Sequence, residues 1–257
     1  SEMIFIPEDY DSIQSAIDAA STGDSLIVSP GTYLENIDFL GKQILVSSEY
    51  YIDFDSTLIG ATIIDAGSIA SAVTFKNNES FTSILQGFTL QNGIGNNEDP
   101  DGNGSFYTYG GGIYFEDSSP TIKNCVIQNN TANQGGGGGL FCYNASPVFW
   151  GCLILNNTTD DVGGGLYGRE GSEPKFYDCT FEANTAEFGG GCYLRNESVP
   201  EMENVIFLNN IANNSGGGIS LKDNADLSGS NVEIVGNEAE GLGGGLYINN
   251  ADPSFNF

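Results

Sequence analysis

Seven side chains in this sequence are cationic against 34 acids, and four of the seven fall at one position of a repeat. Lys76, Arg169, Arg195 and Lys222 share a column with Glu116, Tyr143 and Asn249. Two residues earlier runs a second column of Thr74, Tyr114, Phe141, Tyr167, Tyr193, Ser220 and Tyr247. Guanidinium groups hold carboxylates through paired hydrogen bonds, and aromatic faces offer a surface for flat or cationic ligands. The set therefore predicts a carbohydrate groove, acidic sugars included. Its lining would be Tyr114, Phe141, Tyr143, Tyr167 and Arg169, continued by Tyr193, Arg195, Lys222 and Tyr247. The competing reading is purely architectural: the rings stack on one another, and the cations balance Glu170, Glu197 and Asp223.

A second candidate is Asp99-Pro-Asp101-Gly-Asn103-Gly104, the first half of a calcium loop, with oxygen ligands at alternate positions and a glycine for the turn. Gly110 stands where a bidentate glutamate should follow, so Glu98 or Glu116 would have to complete the shell. Ca2+ is the one cofactor this predicts, at Asp99, Asp101 and Asn103. An acidic, solvated loop is the alternative.

The elements that position these residues repeat with a period of 26 or 27 residues, five times between Thr121 and Pro253. Such a period marks a solenoid. Apolar columns recur in phase: Leu85, Ile122, Phe149, Phe176, Met202, and Phe88, Cys125, Cys152, Cys179, Val205, Val232. The in-phase cysteines read as small core residues rather than disulfides or metal ligands. Gly87, Asn124, Gly151, Asp178, Asn204, Asn231 form one corner column, and Gly93, Asn130, Asn157, Asn184, Asn210, Asn237 a second. Glycine and asparagine tolerate the left-handed region, so both predict sharp turns, and stacked asparagines can bond along their column. Three strands, three corners and one core per coil describe a parallel β-helix.

Residues 1–24 predict a cap: a strand at Met3–Ile6, then a short helix with Asp11 and Gln14 at N-cap and N3 spacing and Ile13, Ala16, Ile17, Ala20 as its apolar stripe. Residues 25–257 are the β-helix, with Asn92 to Tyr109 as an insertion. The last residues, Ser254 to Phe257, begin a further repeat, which predicts either continuation of the chain or end-to-end self-association.

The pattern resembles the right-handed parallel β-helices of the pectin-lyase-like superfamily. Residues 84–257 also resemble the repeats of chlamydial polymorphic outer-membrane proteins, through GGGI, GGGL or GGGC in place of their GGA motif and through Phe181–Asn184 and Phe207–Asn210. The resemblance implies an all-β, single-stranded right-handed parallel β-helix with a short N-terminal α-helix cap. In similar pectate lyases the post-glycine strand face carries the substrate cleft, calcium is held by acids, and an arginine or lysine acts as base. Carried over, Arg169 or Arg195 would be the base with Glu170 nearby. Arginine is protonated at ordinary pH, however, and glycoside hydrolysis needs two carboxylates where the outward columns offer only Glu116.

A net charge of −27 with no histidine excludes nucleic-acid binding, no apolar run is long enough to span a bilayer, and the missing initiator methionine suggests a mature or cut chain. The leading expectation is an exported or cell-surface module for adhesion or scaffolding that binds glycans or a surface protein. A calcium-dependent polysaccharide lyase is the first alternative, and a self-assembling filament or surface-layer subunit the second.

Overall fold

Three rows of parallel strands wrap one core in this computed structural model, which describes residues 1–251 and 253–256. Phe257, on which the unfinished repeat ends, lies outside the described residues. The first row starts at Met3–Ile6, Ser25–Val28, Leu45–Ser48 and Ile84–Gln86, and the second at Gly31–Leu34, Thr62–Asp65 and Thr89–Gln91. The two merge where Glu201–Leu208 and Ser228–Val235 run unbroken past the corner. The third row is an eight-stranded sheet that includes Val73–Phe75, Ile113–Glu116, Leu140–Tyr143, Leu166–Arg169, Cys192–Leu194, Ile219–Lys222 and Leu246–Asn249. A fourth, five-stranded ladder of short strands, from Thr131–Ala132 to Glu238–Ala239, precedes the glycines and has no counterpart in the three-strand reading of the repeat.

Register follows the sequence columns. Leu85, Ile122, Phe149, Phe176 and Met202 pair in succession, and all five are buried. The five cysteines are buried free thiols. Among the described residues no helix is long and apolar enough to cross a membrane.

The corners divide more finely than expected. In the first column Gly87, Asn124, Gly151, Asp178, Asn204 and Asn231 all have positive φ. In the second, the left-handed residue is the one before the asparagine: Asn129, Asn156, Ala183, Asn209 and Gly236. The asparagines themselves turn inward. Asn157 Nδ2 donates to Ile127 O at 2.9 Å and to Asn184 Oδ1 at 3.1 Å, and Asn184 and Asn210 repeat the pattern. An amide ladder of this kind satisfies buried backbone groups that the corner leaves unpaired.

The glycines let neighbouring coils touch. Gly163 takes φ +69, and a Cβ on Gly164 or Gly165 would lie 2.5 Å from the carbonyl oxygen of the coil above. An alanine at the third position would force the neighbouring coil to shift.

The cap forms with a different N-cap. Helix α1 (Ile13–Ala19) starts at Ser12, whose Oγ accepts from Ser15 N at 3.1 Å. Glu35, from the first coil, accepts from Ile13 N and Gln14 N at 2.9 Å, so a carboxylate meets the positive end of the helix. Lys42 Nζ donates to the carbonyls of Ile17, Asp18 and Ala20 at its other end. Two short helices, α2 (Tyr50–Asp53) and α3 (Thr57–Ala61), interrupt the second coil, where the sequence offered no periodic stripe to announce them.

Candidate functional site

The outward columns of the third sheet sit in the register the repeat predicts. Tyr114, Phe141, Tyr167, Tyr193, Ser220 and Tyr247 oppose one another in turn, as do Glu116, Tyr143 and Arg169. Their exposure does not follow. Tyr114 and Phe141 are fully buried, Tyr167 and Tyr193 nearly so, and only Tyr143, Arg195, Lys222 and Tyr247 are half-buried. Four of the nine residues expected to line an open groove thus form the centre of a second core.

Tyr109, Val162 and Phe188 close that core. In the insertion, Asn96–Glu98 pairs antiparallel with Tyr107–Tyr109, which pairs parallel with Gln134–Gly136. The hairpin lies across the sheet face. Tyr109 stacks on Phe141 at 4.4 Å between ring centroids, Asn96 Nδ2 donates to Thr74 Oγ1 at 2.8 Å, and Lys76 pairs with Glu98 at 2.7 Å. Val162 and Phe188, bridged to each other just before the glycines, with Phe188 ending the strand Thr185–Phe188, pack against the rings. The Tyr-Thr-Tyr alternation at 107–109 is the signal that could have marked a strand here.

Burial raises the phenols of Tyr109 and Tyr193 to about 12; for Tyr109, Arg169 partly opposes the shift, and for Tyr193, Tyr167 adds to it while Arg195 opposes. Tyr114 donates to Glu116 at 2.9 Å and is raised far above the usual phenol range by burial and by that carboxylate.

Arg169 is 5% exposed. Its Nη2 is hydrogen-bonded to Asp101 Oδ1, its Cζ lies 5.2 Å from the Tyr143 ring centroid, and its Nε is buried without a partner. Burial works against its charge, but the bond to Asp101 and the neighbouring Tyr167 outweigh that and raise its pKa. A guanidinium held this firmly in its charged form cannot accept a proton.

Arg195 and Lys222 stand one coil apart beyond the lid. Neither side chain has a hydrogen bond or ion pair among the described residues, and Arg195 Nε is buried without a partner, as is Ser220 Oγ. Asp161, in the turn before the glycines, is half-buried. Burial and then Asp160 raise its pKa while Arg195 partly offsets them. At the corner after these strands lies a cleft of about 510 Å³ lined by Glu170, Asn196, Glu197, Asp223, Asn224 and Asn250. Asn196 Nδ2 donates to Glu170 Oε1, so the carboxylate expected to assist the catalytic arginines serves the corner ladder.

In the insertion every acid of the expected calcium shell has another partner. Asp99 accepts from Asn103 N and Gly104 N at 3.1 and 2.6 Å, Asn103 Oδ1 accepts from Ser105 N at 2.8 Å, and Asp101 is bonded to Arg169. Glu98 is paired with Lys76 and Glu116 with Tyr114. Among the described residues no three His, Cys, Asp or Glu gather to hold a metal ion. These residues do not fit a calcium shell.

The family model of the right-handed β-helix region matches residues 60–257. The chain belongs to that family. Its coils therefore wind right-handed, and the parallel ladders described above are the rungs of that helix. Among solved structures, the crystal structure of pectate lyase Pel9A is similar in fold, with a TM-score of 0.54 at 15% identity, covering 98% of this chain and 78% of that one. No curated protein matches the chain.

Proposed function

We propose that this right-handed β-helix is an exported or cell-surface module that binds an acidic polysaccharide along the column of Arg195 and Lys222. The observation that carries the reading is the pair of unpartnered cations on successive coils of a chain with net charge −27. Any neighbouring acid could have been recruited to them, as Glu98 and Asp101 were to Lys76 and Arg169. A half-buried guanidinium with no carboxylate hydrogen-bonded to it favours one brought by a ligand. Beyond the corner, the amides and carboxylates of the adjacent cleft suit sugar hydroxyls, which both donate and accept. Coil spacing of about 4.8 Å places successive cations along the direction of an extended chain. The fold shared with a pectate lyase supports the carbohydrate class, and the repeats resembling chlamydial surface proteins support the surface location.

Elimination chemistry gains nothing from Arg169, which is occupied by Asp101 and locked in its charged form. With Arg195 the one remaining candidate base and arginine protonated at ordinary pH, binding without turnover is the preferred reading over a lyase.

The test is calorimetric titration with oligogalacturonate and oligomannuronate, with a neutral dextran oligosaccharide as control, at about 0.15 M salt so that the general negative charge is screened. The expected result is binding of an acidic probe alone, weakened at least tenfold by Arg195→Ala and further by Lys222→Ala, since a charge-assisted bond contributes about 1.5–3 kcal/mol. Wild-type affinity in the doubly substituted protein would overturn the proposal. Formation of unsaturated products from either uronate would move the protein to the lyase class.

A further inference from the structure

We propose that Asp101 is an internal occupant of an anion site at Arg169, placed there by the insertion, so that the lidded end of the cationic column stays closed to ligand until the loop lifts. This rests on the reading of the column as an acidic-saccharide site.

The face carries the same side chain twice. Arg169 and Arg195 share one column on neighbouring coils, and each keeps a buried Nε without a partner. They differ in burial, Arg169 being buried and Arg195 half-buried, and in partner. Arg169 has a carboxylate on its Nη2, and Arg195 has none among the described residues. That carboxylate does not come from the coil or from the adjacent corner, where Glu170 follows Arg169 directly. It comes from a position 68 residues away in sequence, at the tip of the insertion. Tyr143 packs under the guanidinium as an aromatic wall would beneath a bound group. Arg169 is thus a carboxylate site complete in itself, filled by the chain's own carboxylate.

The filling group sits on a movable support. The bonds that shape the tip are internal to it: Gly102 N donates to Asp99 O at 3.1 Å, and Asn103 N and Gly104 N donate to the Asp99 carboxylate. Its large side chains, Phe106 and Tyr107, are exposed at 59% and 40% rather than docked on the sheet. The insertion is anchored instead at its base, by Tyr109 on Phe141 and Asn96 on Thr74. Lifting residues 99–106 breaks the Asp101–Arg169 bond and leaves both the sheet and the internal turn intact. An internal carboxylate competes at a high effective concentration, so only a ligand already held at Arg195 and Lys222 displaces it with advantage. The device therefore selects for long acidic chains over short ones.

The test compares wild type with Asp101→Asn, using oligogalacturonate of short and long chain length. Expected is about a tenfold gain in affinity for the short probe, the loss of internal competition. Arg169→Ala in the Asp101→Asn background should return affinity to the wild-type level, closing a double-mutant cycle. Asp117→Asn, the same change of charge at an exposed corner, should alter it less than twofold. A readout without saccharide is modification by phenylglyoxal, mapped by mass spectrometry: slow at Arg169 in wild type, fast in Asp101→Asn. If wild type binds and Asp101→Asn binds no tighter, the internal occupant is overturned and the binding site stands. Equal labelling of Arg169 in the two proteins overturns it as well. If no acidic probe binds any of these proteins, the binding site and its occupant fall together.

Discussion

The outward face of the post-glycine sheet is two surfaces written in one repeat. From Tyr114 to Tyr167 the rings are sealed beneath a hairpin with Val162 and Phe188 beside it, and the cations Lys76 and Arg169 are neutralised by Glu98 and Asp101 from that hairpin. From Arg195 to Asn249 the same columns continue, half-buried or exposed after Tyr193 and Ser220, with Arg195 and Lys222 unpartnered among the described residues. Column identity comes from the period. Exposure comes from what is inserted once and never repeated. A solenoid face can therefore be converted from a binding surface into a core by one excursion of the chain.

The largest effect that tests this contrast is on stability. Phe141→Ala empties the middle of the sealed stack, where Tyr109, Tyr114 and Tyr167 all touch it, and should cost about 3–5 kcal/mol. Tyr247→Ala removes a half-buried ring in the same column and should cost below about 1.5 kcal/mol. Urea unfolding of the two variants gives the comparison directly. Equal losses would mean that the two ends of the face are not different environments.

Alkaline titration gives the next effect. Burial raises Tyr109 and Tyr193 to about 12, so the folded protein favours their neutral forms. A folded-state pKa above the unfolded value of about 10 adds stability that is complete below pH about 10 and is lost as pH rises through about 12. Phenolate absorbance and near-ultraviolet dichroism, followed together, should show the sealed tyrosines ionising only as tertiary structure is lost. Ionisation of every tyrosine near pH 10 with the fold intact would dissolve the idea of a second core.

The β-helix was legible because its cause is periodic. Like residues must stack when coils repeat, so Cys125, Cys152 and Cys179 could be placed in the core, and Tyr167 opposite Tyr193, by counting alone. Alternation also told inward from outward correctly. What counting could not supply was the hairpin, since Asn96 and Tyr109 act on residues far away in sequence through contacts no period encodes. Outward was therefore taken for exposed, and Tyr114, Phe141, Tyr167 and Tyr193 were assigned to an open groove. The asparagine column shows the same limit at smaller scale. Asn and Gly at a corner signalled the left-handed region, but there it is Ala183, with φ 52, that adopts it while Asn184 turns inward to the amide ladder. Residue type placed this corner one position late, and only the backbone shows where the chain turns.

The smallest expected effect concerns the loop at Asp99–Gly104, where the same contrast can be put to a metal. Its spacing of oxygen residues is that of half a calcium loop, yet spacing matters to a cation only if the oxygens converge and are unclaimed. Asp99 has turned both carboxylate oxygens to its own backbone, and Asp101 faces a guanidinium whose charge repels a cation at short range. For calcium to bind, Arg169 would have to give up its carboxylate to the ion, and removing one partner of such a pair costs far more than the pair contributes. Calcium at millimolar concentration should therefore leave the melting temperature of wild type unchanged and produce no heat of binding. Asp101→Asn, which frees the guanidinium, should behave the same way. A rise of several degrees in wild type would show that the ion can take Asp101 from Arg169, and that the sealed end of the face opens more readily than its buried rings suggest.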